Sequence, residues 1–216
     1  MATISGSSTI DWSTISLSQV QFEIDLPAGI SKNVEIFDLA GNDANMTNIT
    51  LTSTSYSATI NVGGNVGGQV TASGVGFDTE FAEVTSFNYS NTNTGEFITW
   101  TGAMGDFGGQ EFLSSFTAGN TVTGFSETFI GTIVPDATTF TVPGSYTGTL
   151  TSLIIQVGAT TTTLNGTFTL SGDMSLVNLA GTITEISVLS GTNTINMTGL
   201  SVDWGTLIAG PGIKSV

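Results

Sequence analysis

The chain contains no cysteine, no histidine and no arginine. Without cysteine there are no disulfides and no thiolate metal sites. Without histidine there is no imidazole ligand and no Ser-His-Asp triad. Without arginine no guanidinium fork is available for phosphate or carboxylate. Lys32 and Lys214 are the only basic side chains against seventeen acidic residues, a net charge of −15. That balance excludes a nucleic-acid partner, because displacing counterions from phosphate needs Lys and Arg. It disfavours an anionic membrane surface for the same reason. No apolar run reaches the ~18 residues of a transmembrane helix. The start, MATISGSSTIDW, has neither the basic n-region nor the apolar h-region of a secretory signal.

What is present is β-forming. A length of 216 residues suits one all-β domain, and the Phe, Ile, Val and Leu content argues against disorder. Period-two alternation runs through ISLSQVQFEI (15–24), NVEIFDL (33–39), NITLT (48–52), YSATINV (56–62), QVTASGVGF (69–77) and AEVTSFNYS (82–90). It continues through EFITWTG (96–102) and TVTGFSETFIGTIV (121–134), and from 138 onward the chain reads as almost pure strand and turn. Threonine suits a pleated surface with one wet side. The pattern predicts an all-β fold, an antiparallel β-sandwich or barrel-like sheet. The alternative, a β-solenoid, requires a fixed period, whereas glycines 158, 166, 172, 181, 191 and 199 are unevenly spaced. One segment, GGQEFLSSFTAG (108–119), carries Phe112, Leu113 and Phe116 at helical spacing; it reads as a short helix or an aromatic-anchored loop. A change of texture near Pro135–Pro143 reads as a hinge between two sheets of one domain.

Few motifs carry chemistry. GGNVGG (63–68) lies between two strands with no helix following, which makes it a hairpin turn and not a phosphate loop. Lys32, in GISKN, reads as an exposed turn residue. The pairs Glu23–Asp25 and Asp78–Glu80–Glu83 are the only candidate carboxylate pairs for hydrolysis. Glu23 and Asp25 share the solvent face of one strand, so no catalytic residue is assigned and the protein is read as a non-enzyme. Calcium is the better match, since it takes carboxylate, amide and carbonyl oxygens. The candidate ligands are Asp38, Asn42, Asp43 and Asn45 in DLAGNDANMTN (38–48), with Asp78, Glu80 and Glu83 in GFDTEFAE (76–83) as a second cluster. The competing reading of 38–48 is an Asx-rich turn capped by its own side chains.

TIDWSTI (9–15) returns as SVDWGTL (201–207). As strands, each would place its Trp on one face with Ile10 or Val202. Either the two segments are neighbours in one sheet, or residues 1–14 form a separate segment that is exchanged between subunits by strand addition, with 15–216 as the single β domain. The second option makes Ile4, Ile10, Trp12, Val202 and Trp204 candidate subunit contacts.

In its acidic, Thr/Gly/Asn-rich texture the whole chain resembles secreted bacterial surface proteins: fibre, surface-layer and adhesin subunits. The resemblance implies an extracellular or cell-surface structural protein, exported without a visible N-terminal signal peptide. Such a protein would self-assemble into a homo-oligomer or filament and be stabilised by calcium, with no membrane insertion. A monomeric carbohydrate- or ligand-binding module is the alternative.

Overall fold

The computed structural model of the chain describes residues 2–6, 46–60, 67–78, 83–105, 111–135, 145–173 and 176–209. The strands are β1 (Thr3–Gly6), β2 (Met46–Leu51), β3 (Ser55–Ile60), β4 (Gly68–Val75), β5 (Glu83–Ser90) and β6 (Glu96–Gly105). They continue as β7 (Phe112–Asn120), β8 (Phe125–Pro135), β9 (Ser145–Val157), β10 (Thr160–Asp173), β11 (Leu176–Ser190) and β12 (Asn193–Asp203), followed by one short helix, α1 (Trp204–Ala209). The chain is all-β and antiparallel, as its alternation implies, with strand neighbours in sequence hydrogen-bonded from β2 through β12. Among the described residues the twelve strands form one open sheet in the order β1-β12-β11-β10-β9-β8-β7-β6-β5-β4-β3-β2, not the two sheets of a sandwich, and it is not a closed barrel. The hinge expected near Pro135–Pro143 is corrected accordingly. β8 and β9 are direct ladder partners from Phe125↔Val157 to Pro135↔Tyr146.

One face of this sheet is apolar and buried in a single cluster running from Tyr56 to Leu207. The other presents mainly hydroxyls and amides, interrupted by apolar side chains such as Phe112, Ile130 and Leu189. A register row on that outer face crosses every strand, from Thr50 on β2 through Thr71, Thr99, Thr128 and Ser187 to Ser5 on β1.

Bulges bend the sheet. Every ladder except β1–β12 and β3–β4 contains a register shift, and bulges increase strand bend and twist. From β4 to β11 the shifts share one construction. On the even strands a glycine occupies the bend: Gly74, Gly102, Gly131 and Gly166. A Cβ at Gly102 or Gly166 would lie 2.1 Å from a carbonyl oxygen of the next strand, so no larger residue fits. On the following odd strand a Ser or Thr takes the extra position. Its hydroxyl donates to the carbonyl just before that glycine: Thr85 to Ser73 (3.1 Å), Ser114 to Thr101 (3.2 Å), Thr151 to Ile130 (3.3 Å) and Thr184 to Asn165 (3.2 Å). At the outermost bends the special conformations pass to Asn48 (φ 55°) on β2 and Gly199 (φ 68°) on β12. These are the residue types that tolerate the left-handed region.

The same bulges explain why 108–119 imitates a helix. Leu113 and Phe116 are both buried although three residues apart, because Ser114 is the extra residue between them. Residues 112–120 are strand β7, correcting the helix-or-loop reading. Val84 and Phe87, Leu150 and Leu153, and Ile183 and Ile186 repeat that spacing on β5, β9 and β11, all buried.

Candidate functional site

Antiparallel alternation sends alternate connections to opposite ends of the sheet, and the charge divides with them. Asp78, between β4 and β5, and Glu83, the first residue of β5, share one end with Glu111 before β7 and Asp203 at the close of β12. At the other end the turns 91–95, 121–124, 158–159 and 191–192 contain no charged residue, and the acid there is Glu96 at the start of β6, which accepts a hydrogen bond from the Thr94 hydroxyl at 3.0 Å. Asp78 is exposed and Glu83 half-buried. Among the described residues no three acidic side chains come together in a group that would hold a metal ion. Asp38, Asn42, Asp43, Asn45 and Glu80, the other expected calcium ligands, lie outside the described residues.

The expected subunit contacts are distributed differently. Ile10 and Trp12 lie outside the described residues. Ile4 is 67% exposed on β1, a strand whose partner is β12 of the same chain, Ile4 standing opposite Met197. Thr3–Gly6 thus belongs to the chain's own sheet. Val202 is half-buried on β12. Trp204 is not presented to a partner: it is 3% exposed, edge-on to Phe168 with ring centroids 6.2 Å apart. It also does not share a strand face with Val202, because the strand stops at Asp203. The Asp203 carboxylate accepts a hydrogen bond from the Thr206 backbone N–H at 3.0 Å, the N-cap arrangement that starts a helix. α1 then carries Trp204 and Leu207 into the core.

The chemically distinctive side chain is one the motif search passes over. Glu127 lies on the apolar face of β8 in FSETF, flanked along its own strand by Phe125 and Phe129. Its register partners are Ala118 on β7 and Ile155 on β9. It is 6% exposed, and its Oε1 meets no hydrogen-bond partner. Burial alone raises its carboxyl from 4.5 to about 7, because desolvation disfavours the charged form. The signal was available in the alternation itself: Glu127 falls in the inward phase of Phe125, Phe129 and Ile133. Two tyrosines of the described sheet respond to burial in the same way. Tyr146 is pushed up to about 12. Tyr89 is also raised, by burial foremost, with Asn91 opposing and the Glu96 charge adding to the rise.

Buried, unpaired and shifted toward neutrality, Glu127 has the attributes of a functional group, and both of its register partners, Ala118 and Ile155, are apolar. Among the described residues no helix is long and apolar enough to cross a membrane. Compared with known proteins, the chain matches no family model, no curated protein and no solved structure.

Proposed function

We propose that this is a non-enzymatic, extracellular structural protein that associates edge to edge with copies of itself, with calcium offsetting the repulsion between them. The observation that carries the reading is the direction of the two edge strands. In an antiparallel sheet of twelve strands ordered from β1 to β2, the edges run in opposite directions. A second copy in the same orientation therefore brings its β1 beside the first copy's β2 as an antiparallel neighbour. Such a contact is heterologous and repeats without closing unless its rotation permits, the geometry of a filament. Ile4 on β1 and Leu51 on β2 supply exposed apolar side chains to it. The composition agrees: a net charge of −15 opposes close approach of copies, and a divalent cation reduces that repulsion. The outer rows, in which hydroxyls and amides outnumber apolar side chains, differ from the continuous apolar belt that a membrane barrel turns toward lipid, which supports no insertion into a bilayer.

The test is sedimentation and negative-stain microscopy of the full chain across protein concentration, with millimolar calcium or with EDTA. Calcium-promoted assemblies are expected, and removal of residues 2–6 should leave a folded monomer. An intact protein that stays monomeric up to millimolar concentration in calcium overturns the reading and assigns the edges to contacts within the chain.

A further inference from the structure

We propose that the Glu127 carboxyl is a proton-operated latch in the sheet: neutral, it packs in the apolar layer shared by β7, β8 and β9, and on losing its proton it loosens that layer. The inference rests on placement. Glu127 is 6% exposed among Phe125, Phe129, Ala118 and Ile155, and Oε1 has no hydrogen-bond partner. A neutral acid left in this way is tolerated at modest cost, whereas an ionised carboxylate without a partner is strongly penalised.

Among the described residues nothing packed against it supplies compensation. β7 contains no titratable residue, and β9 contains only Tyr146, at its far end opposite Pro135 and Gly172. The remaining titratable groups in the described core cluster are the phenols of Tyr56 and Tyr89, neither of which can carry a positive charge. Lys32 and Lys214, the chain's only cationic side chains, lie outside the described residues.

The composition isolates the response. With no histidine and no cysteine in the chain, no side chain of ordinary pKa titrates between about pH 6 and 8. The direction of the effect follows from the raised value. Below 4.5 the carboxyl is protonated in the folded and the unfolded chain alike. Between 4.5 and about 7 the unfolded chain gives up the proton and the folded one retains it. Stability therefore falls as pH rises through this window and is level above it. The latch is closed in acid and open in neutral to alkaline solution.

The experiment compares the intact protein with Glu127→Gln by denaturant unfolding at pH 5.5, 6.5, 7.5 and 8.5. Amide exchange of β7–β9, corrected for intrinsic rates, is followed at the same pH values. The folded-to-unfolded ratio of the wild type should fall about tenfold between pH 5.5 and 6.5 and level off above 7.5, with faster exchange confined at first to β7–β9. Glu127→Gln should remove this pH dependence. A wild-type profile flat from pH 5.5 to 8.5, or an equal slope in Glu127→Gln, overturns the proposal. Should the variant not fold, carbon-13 NMR titration of the wild-type carboxyls decides. One glutamate titrating between pH 6 and 8 supports the latch, and titration of every carboxyl below about pH 5.5 overturns it.

Discussion

Glu127 and Glu185 stand in the same sheet on opposite faces, and the difference between them is instructive. Glu185, on the outer side of β11, accepts a hydrogen bond from the Asn165 side-chain amide at 3.2 Å across the strand gap and keeps access to water. Glu127, on the inner side of β8, is surrounded by aromatic and aliphatic carbon, and its Oε1 meets nothing. The residue type is identical. What distinguishes the two is the phase of the strand at which each falls, since adjacent positions on a strand point to opposite faces. On the inner face burial raises the carboxyl to about 7, so that its charged form is the one penalised. The outer face leaves it hydrogen-bonded and in contact with water.

Substitutions on the two faces probe this contrast, and the inner face should give the larger effects. Phe168→Ala removes a fully buried ring packed against Trp204; a loss of about 3–5 kcal/mol in denaturant unfolding is expected. A loss below 1 kcal/mol would mean that the helix and sheet are not one cooperative core. Glu127→Leu works in the opposite direction. Its carboxyl is raised from 4.5 to about 7, so the wild type bears a penalty of up to about 3 kcal/mol above pH 7.5 and none of it below pH 4.5. The leucine variant should therefore melt well above the wild type at pH 8, and the gap should shrink steadily as the pH is lowered to 4.5. A gap independent of pH would assign the gain to packing alone.

Smaller effects are expected where hydrogen bonds, and not the apolar layer, are removed. Asp203→Ala deletes the cap of α1 and should lower stability by about 1 kcal/mol, with quenching of Trp204 fluorescence by acrylamide increasing as the helix frays. Thr151→Ala removes one hydroxyl-to-carbonyl bond from the line of bulges, at a cost of about 0.5–1 kcal/mol in thermal unfolding. The smallest belongs to the outer glutamate. Glu185→Gln should change the melting temperature by no more than the equivalent of about 0.5 kcal/mol. An effect as large as that of Glu127 would erase the distinction between the faces.

The strands were legible in the sequence because alternation marks a face wherever one side is wet, as in SYSATI and GQVTAS. It failed where bulges intervened. Leu113 and Phe116 look like one face of a helix until Ser114 is known to be an extra residue in a strand. Gly166 counted among glycines of uneven spacing, while its alignment with Gly102 and Gly131 exists only across the sheet. The candidate site was less legible. Sequence reading sought clustered acids, and the distinctive acid is solitary. The repeated Asp-Trp phrase read as a strand pair, whereas in its second copy the aspartate caps a helix and the tryptophan is drawn into the core.

The sequence by itself determined the all-β class, through threonine-rich alternation, and through its missing residue types it ruled out imidazole, thiolate and guanidinium chemistry. It also determined the net charge of −15 and, with no histidine or cysteine, a pH range empty of ordinary titrations. Only the tertiary structure decided that one continuous sheet replaces two, that its bends line up from strand to strand, and that Glu127 faces inward without a partner. The physical reason is that composition and periodicity are local, whereas the solvation of a carboxyl depends on neighbouring strands that a bulge can re-phase by a single residue.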